Sequence, residues 1–176
     1  MMKSIFSITL LYFLFMTASS AKAQHTLMTG DKVPDFSLVD QDGKVFNSAD
    51  YIGKKILVIY FYPKDESMVC TREACSFRDS FEDFTDAGAM VIGINSGTIA
   101  SHKSFRDHHK LPFTLLSDPN NKVYHLFGVK NAMFMTGRKT FVVDLHGKIG
   151  FAYEAMMQGK QHADDALNYI RSQKVK

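Results

Sequence analysis

The 176-residue sequence predicts an α/β fold in which a mixed central sheet is flanked by helices. One observation is the uninterrupted apolar and aromatic run of residues 56–62, which is typical of a strand buried on both faces. The other is that further short apolar runs alternate with segments of helical periodicity along the chain. This alternation indicates strand–helix–strand units, and an apolar hairpin near the C-terminus adds antiparallel strands to them.

The first 23 residues predict a secretory signal peptide that is separate from the fold. Lys3 precedes an apolar run of residues 5–16, and small residues follow as far as the A-x-A pattern Ala21-Lys22-Ala23. The apolar run has about 12 residues, whereas a membrane-spanning helix needs roughly 20, which disfavours a membrane anchor. We therefore expect residues 24–176 to be exported, either to the periplasm or outside the cell, without stable membrane association.

The composition indicates one ordinary globular domain in residues 24–176. The chain is 45% hydrophobic, and 21 basic against 18 acidic residues give a net charge of +3, too small to indicate a nucleic-acid partner. Two cysteines are too few for a disulfide scaffold, and they do not form the short paired spacings of a zinc site.

The individual elements follow from local patterns. Alternating residues around Asp42-Gly43 predict an N-terminal hairpin with a two-residue turn. Phe77, Phe81 and Phe84 recur at helical spacing and predict a single helix over residues 68–87. The later patterns predict strand 89–95, helix 98–109, strand 113–117, helix 121–127, strand 140–145, strand 149–153 and a C-terminal helix. These elements are compatible with a thioredoxin-like core that carries an N-terminal hairpin extension.

The segment after the predicted central strand holds the candidate reactive residue. Pro63 ends the strand because it has no N–H to donate, and Ser67 is a favourable residue for a helix N-cap. Cys70 then falls at the third helical position, close to N–H groups that have no partner within the helix. Their partial positive charge favours the thiolate, which is the nucleophilic form of cysteine.

These residues resemble the active site of the peroxiredoxins. The family motif P-x-x-x-[T/S]-x-x-C is matched by Pro63, Ser67 and Cys70, and the strings YFYPKD and CTREACSFRD resemble the peroxiredoxin Q branch, also called bacterioferritin comigratory protein. The family element R-x-T-F begins at Arg138, and G-D-x-x-P-D-F occupies residues 30–36. The resemblance extends over most of residues 24–176.

The resemblance implies a peroxidase that needs neither a metal nor an organic cofactor. Cys70 would attack hydrogen peroxide or an organic hydroperoxide and become a sulfenic acid, Cys75 would resolve it as an intramolecular disulfide, and a thioredoxin-like dithiol protein would restore both thiols. Arg138 would stabilise the thiolate, and the Ser67 hydroxyl together with the Cys70 backbone N–H would hold the peroxide. The branch is often monomeric.

The chain departs from the branch in front of the reactive cysteine. Met68 and Val69 stand where the branch usually has Pro-Gly, and both are bulkier and more apolar. We expect the stiffness of the loop and the access to Cys70 to differ accordingly.

The cysteine pair has three other interpretations. A structural disulfide is disfavoured because residues five apart on a regular helix have Cα atoms about 8 to 9 Å apart, beyond the roughly 7 Å that a disulfide spans. An exported thiol–disulfide oxidoreductase of thioredoxin fold would be expected to carry C-x-x-C, whereas four residues separate Cys70 from Cys75. A non-catalytic thioredoxin-like binding module would consume no peroxide.

Three histidines lie on the predicted helix of residues 98–109. His102 and His109 could share a face with each other, and His108 is adjacent. Without a nearby Cys or carboxylate to complete a set of metal ligands, the pattern predicts a solvated polar face.

Overall fold

In the computed structural model, which describes residues 25–132 and 135–173, seven strands form one mixed sheet with helices on both faces. The strands are β1 (Ser37–Asp40), β2 (Val45–Asn47), β3 (Ile56–Phe61), β4 (Ala89–Asn95), β5 (Thr114–Ser117), β6 (Lys139–Val143) and β7 (Ile149–Glu154). The α-helices are α1 (Met68–Asp79), α2 (Phe81–Asp86), α3 (Ile99–His109), α4 (Lys122–Leu126) and α5 (Gly159–Gln173), and a 3-10 turn spans Ser48–Asp50. The sheet order is β2-β1-β5-β4-β3-β6-β7, so the predicted α/β class is confirmed.

Strand β3 is the central strand that the apolar run predicts. It pairs in parallel with β4 and antiparallel with β6. Its side chains alternate between two cores, with Val58 and Tyr60 in one and Leu57, Ile59 and Phe61 in the other. Because both faces are covered, every one of these positions is apolar or aromatic, and the alternation expected of a half-exposed strand is missing.

The N-terminal hairpin is present, but its turn is longer than predicted. Strands β1 and β2 pair antiparallel, and four residues, not two, connect them. The Asp40 carboxylate accepts hydrogen bonds from the backbone N–H groups of Asp42 and Lys44, at 2.8 and 2.9 Å, and this closes the longer turn. Gly43 supplies the positive φ of 78° that the turn requires.

The prediction of one helix over residues 68–87 is wrong, because the chain breaks at Ser80. This residue has ψ of 13°, and α2 starts directly after it. The break redirects the second segment so that the Phe81 ring packs 6.4 Å from the Phe113 ring, while Phe84 remains 5.8 Å from Phe77. Aromatic spacing alone therefore predicted the buried face but not the change of direction.

The other predicted elements are present, with ends that differ by at most two residues. The predicted signal peptide, residues 1–23, and its cleavage pattern lie outside the described residues. Within residues 25–132 and 135–173, no helix combines the length and the apolar character needed to cross a membrane.

Candidate active site

The loop between β3 and α1 places the first turn of α1, and with it Cys70, at the end of the sheet. Tyr62 makes a hydrogen bond of 3.2 Å from its N–H to the Ile94 carbonyl, and Pro63 follows it. Ser67 occupies the N-cap position of α1, so Cys70 is the third helical residue, as expected. The Cys70 side chain is buried, at 1% exposure.

Ser67 does not cap the helix with its side chain. Its hydroxyl donates a hydrogen bond of 3.1 Å to the Lys64 carbonyl, and it accepts none from the first turn of α1. The N–H groups of that turn are therefore not paired with the Ser67 side chain, and they remain a source of positive potential beside Cys70.

Arg138 reaches Cys70 through the pairing of β3 with β6. Phe61, at the end of β3, lies opposite Lys139 at the start of β6, so the residue before β6 is placed at the same edge of the sheet as the β3–α1 loop. Arg138 Nη2 lies 3.1 Å from Cys70 Sγ, and Nε donates to the Met156 carbonyl at 3.1 Å. The guanidinium is 2% exposed, so its charge acts with little screening by solvent.

Glu73 is a third member of this cluster, and sequence reasoning missed it. It lies one helical turn after Cys70, is fully buried and accepts a hydrogen bond from Arg138 Nη1. Burial raises the pKa of its carboxyl to about 8, against the opposing effect of the Arg138 charge. The i, i+3 spacing from Cys70 was the signal that could have identified it.

His162 approaches the same cluster from α5. It is fully buried, its Nε2 lies 3.0 Å from the Ala155 carbonyl and its Nδ1 lies 2.8 Å from Thr140 Oγ1. A neutral imidazole that donates from Nε2 and accepts at Nδ1 satisfies both contacts. Burial lowers the pKa of His162 to about 4, which agrees with the neutral form. Its Nδ1 is 3.5 Å from Glu73 Oε1.

A buried network around Asp65 fixes the loop that precedes Cys70. The Asp65 carboxylate accepts hydrogen bonds from the Tyr62 hydroxyl at 2.7 Å, the Asn95 amide at 2.9 Å and the Ser101 hydroxyl at 2.6 Å, and it contacts His102 Nδ1 at 2.8 Å. Burial would raise the pKa of Asp65, but its contacts with His102, Ser101 and Tyr62 together outweigh burial, and the pKa is lowered.

The expected solvated face of histidines on α3 is therefore wrong in two respects. His102 is fully buried against Asp65. His108 and His109 do have a nearby carboxylate, because both contact Glu66 of the β3–α1 loop. The loop is distant from α3 in sequence, so the sequence pattern of the helix could not indicate these contacts.

Cys75 lies on α1 five residues after Cys70, and both thiols are free in this structure. Cys75 is half-buried and lines a surface groove of about 390 Å³ together with Arg72, Lys160 and Asp164. The structure thus describes one buried thiol beside a cation and one thiol that borders an open groove.

Comparison with known proteins identifies the family. Residues 29–152 match the AhpC/TSA family model. The chain is 45% identical over 145 residues to chloroplastic peroxiredoxin Q of Suaeda salsa, a match that covers 81% of this chain and 67% of that protein.

Solved structures agree with the family match. A peroxidoxin, BcpB, from Mycobacterium tuberculosis has a TM-score of 0.78 and 32% identity, covering 83% of this chain and 97% of that one. The bacterioferritin comigratory protein of Xanthomonas campestris, described in a study of its alkyl peroxide reduction, has a TM-score of 0.74 and 27% identity, with 83% and 99% coverage. The predicted thioredoxin-like fold is confirmed by these similarities.

The same comparison corrects the predicted location. The relatives from Suaeda salsa, Populus jackii and Arabidopsis thaliana are chloroplast proteins, which contradicts the prediction of export to the periplasm or outside the cell. Segments that target proteins to organelles are poor in acidic residues, and residues 1–23 contain none. The apolar run and the A-x-A pattern therefore did not distinguish export from targeting to an organelle.

The family match over residues 29–152, the identity to peroxiredoxin Q and the agreement with solved structures lead to one assignment. This chain belongs to the AhpC/TSA family and, within it, to the peroxiredoxin Q group.

Proposed function

We propose that this protein is a thiol-dependent peroxidase in which Cys70 reduces hydrogen peroxide and organic hydroperoxides. The observation that carries the proposal is the 3.1 Å contact between Arg138 Nη2 and Cys70 Sγ in the first turn of a helix. A buried cation and a helix N-terminus both favour the thiolate over the thiol. The bacterioferritin comigratory protein of Xanthomonas campestris has alkyl peroxide reduction activity, which supports the same substrate class here.

In the first step, the Cys70 thiolate attacks the terminal oxygen of the hydroperoxide. The S–O bond forms as the O–O bond breaks, Cys70 becomes a sulfenic acid, and the leaving oxygen takes up a proton to form water or an alcohol. Arg138 stabilises the charge that develops on the oxygens, because its guanidinium is permanently charged and has several donors.

Ser67 and Pro63 serve this step by shaping the loop. The Ser67 hydroxyl would leave the Lys64 carbonyl and bind a peroxide oxygen, together with the backbone N–H of Cys70. Pro63 ends the hydrogen bonding of the sheet and restricts the backbone where the chain leaves it. Met68 is 68% exposed at the start of α1 and adds apolar surface two residues before Cys70.

In the second step, the Cys75 thiol attacks the Cys70 sulfenic acid, a disulfide forms and water is released. A regular α1 holds the two Cα atoms about 8 to 9 Å apart, so the first turns of the helix must unwind before the disulfide can form. Phe77 is fully buried and begins the part of α1 that stays packed.

In the third step, a thioredoxin-like dithiol protein reduces the disulfide and is itself oxidised. In the reduced protein Cys75 borders a surface groove, whereas Cys70 is buried, so before the helix opens the Cys75 sulfur is the one nearer to solvent. The enzyme acts as a monomer, a property carried over from the resemblance to its branch, and light scattering on the reduced and oxidised protein tests it.

The decisive experiment is peroxide consumption with a thioredoxin-like reductant, compared among the wild type, Cys70→Ser and Cys75→Ser. Cys70→Ser should consume no peroxide, because it removes the activated nucleophile. Cys75→Ser is the matched control, because it also loses one thiol but should still reduce one equivalent and accumulate a sulfenic acid at Cys70. Substantial turnover by Cys70→Ser would contradict the assignment of the nucleophile.

Hydrogen exchange tests the resolving role of Cys75 separately. Oxidation of the wild type should raise amide exchange over about residues 68–77, while residues 81–87 stay protected. Cys75→Ser treated with peroxide should show no such change. If the oxidised and reduced wild type exchange alike, or if Cys75→Ser cycles normally with the reductant, Cys75 is not the resolving residue.

A further inference from the structure

Three potential metal ligands converge beside the β3–α1 loop, outside the cluster around Cys70. His108 Nδ1 lies 3.1 Å from Glu66 Oε1, and His109 Nε2 lies 2.9 Å from Glu66 Oε2. One ligand atom from each residue falls within 4.8 Å of the other two. Within the described part of the chain, this is the one group of at least three Cys, His, Asp or Glu residues that meets this criterion.

The backbone at Glu66 holds its carboxylate toward α3. Its φ of 58° is in the left-handed region, which costs a residue other than glycine about 1 to 2 kcal/mol. Strained positions of this kind persist where the surrounding structure fixes them, and they are concentrated at functional sites. Here the preceding residue, Asp65, is held by hydrogen bonds of its buried network, and this fixes the position of the Glu66 backbone.

His109 is also well positioned. Its side chain is 17% exposed, and its ring packs edge-on at 5.0 Å from the Phe105 ring. Its carbonyl accepts a hydrogen bond of 2.9 Å from Arg78 Nη1 of α1. His108 is more exposed, and its ring lies 4.3 Å from that of His109, so a small rotation brings both imidazoles toward one point.

We propose that Glu66, His108 and His109 bind one divalent transition-metal ion, with Zn²⁺ as the best match. Two imidazole nitrogens and a carboxylate are a ligand set that Zn²⁺ uses in sites where a fourth position is left to water. In tetrahedral coordination with bonds of about 2.1 Å, ligand atoms lie about 3.4 Å apart, so the present spacing requires side-chain shifts of about 1 Å. The side chains of Glu66 and His108 are exposed, which permits such shifts.

The bound metal would join the end of α3 to the loop in front of the reactive helix. Glu66 is two residues before Met68, where α1 begins, and this part of α1 must unwind if Cys75 is to reach Cys70. A metal that holds Glu66 against α3 therefore opposes the opening and slows disulfide formation. This consequence rests on the proposed peroxidase function, whereas the binding of the metal does not.

Calorimetric titration with Zn²⁺ tests the binding in a Cys70→Ser/Cys75→Ser background, in which no thiol can bind the metal. We expect one ion per chain. His109→Ala or Glu66→Gln in that background should weaken the Zn²⁺ affinity at least about tenfold. Loss of a residue that only supports a metal ligand already weakens affinity by about that factor, and these two residues are the ligands themselves. His146→Ala, at an exposed histidine of the β6–β7 turn, is the matched control and should bind as the background does. Absence of binding, or equal affinity in the cluster variants, would overturn the site.

The effect on the disulfide is measured independently with both thiols present. After one equivalent of hydrogen peroxide, Zn²⁺ should slow formation of the Cys70–Cys75 bridge several-fold more in the wild type than in His109→Ala. Both proteins carry the same thiols, so direct binding of Zn²⁺ to sulfur affects them equally. Equal slowing in the two proteins would refute the coupling to the loop, even where calorimetry supports the site.

Discussion

Replacing Glu73 by Gln should change how the stability of the protein depends on pH. Burial raises the pKa of the Glu73 carboxyl from 4.5 to about 8, even though the Arg138 charge acts in the opposite direction. The folded protein therefore keeps a proton on Glu73 at pH values where the unfolded chain has released it. This contribution to stability is fully present below about pH 4.5 and is lost as the pH rises through about 8.

The size of the effect follows from the difference between the two pKa values. A shift of about 3.5 units, at about 1.4 kcal/mol per unit, sets an upper limit of about 5 kcal/mol on the free energy of unfolding that depends on this proton. Water that enters on ionisation would reduce it, so we expect about 2 to 5 kcal/mol. Gln has nearly the same shape as the protonated carboxyl and cannot ionise, so Glu73→Gln should lack this dependence.

Urea unfolding from about pH 5 to pH 9 measures the effect, with Cys70→Ser/Cys75→Ser as the background so that neither thiol ionises or cross-links. The background should lose about 2 to 5 kcal/mol of stability over this range relative to the same protein with Glu73→Gln. His162 is present in both proteins, so its own titration largely cancels in the difference. A constant difference, or a background that gains stability as pH rises, would show that Glu73 is ionised and paired with Arg138 throughout, and the reasoning would fail.

Three further predictions test the surroundings of Cys70. Arg138→Ala should slow the reaction with peroxide by about 10²-fold in stopped-flow measurements, and Arg138→Lys should recover only part of the rate because Lys has no planar fork of donors. Gly159→Ala should lower the melting temperature and the peroxidase rate, since a Cβ there would lie 2.6 Å from the Val69 carbonyl oxygen; unchanged values would contradict the close packing. His162→Gln should reduce by about 3 kcal/mol the free energy of unfolding that is lost in acid. The pKa of His162 is lowered from 6.5 to about 4 in the folded protein, so the wild type loses this stability as the pH falls from 6.5 to 4.

Much of the fold was predictable because its strongest signals are local. The apolar run of residues 56–62 needs no knowledge of its neighbours to indicate a strand covered on both faces, and β3 is such a strand. The break at Ser80 was not predictable in the same way. It depends on where Phe113 lies in the folded protein, and aromatic residues spaced three and four apart fit both a straight and a broken helix.

In the candidate site, too, the residues that lie close together in sequence were predictable, whereas those brought together by the packing of distant elements were not. Pro63, Ser67 and Cys70 lie on one short segment, so the sequence places them together. The position of Arg138 follows only from the pairing of β3 with β6, and the resemblance to a family, not the spacing, pointed to it. Glu73 was missed because a charged residue on a helix is ordinarily solvated, whereas here α5 packs against α1 and Arg138 covers the carboxylate.

On the proposed mechanism, Arg138 and Glu73 connect the two chemical steps. While Cys70 is a thiolate, the guanidinium attracts it and holds the first turn of α1 in place. Conversion to a sulfenic acid removes this negative charge, so the attraction declines at the moment when the helix has to open. Unwinding then also requires Glu73, on the same turns, to leave Arg138, and this contact opposes opening before oxidation has taken place. The backbone hydrogen bonds of the unwound turns contribute about 1 kcal/mol each, and a hydrogen bond to a charged group contributes about 1.5 to 3 kcal/mol. Loss of the thiolate–guanidinium attraction therefore removes an opposing term equal to two or three of those bonds, at the step in which the helix opens.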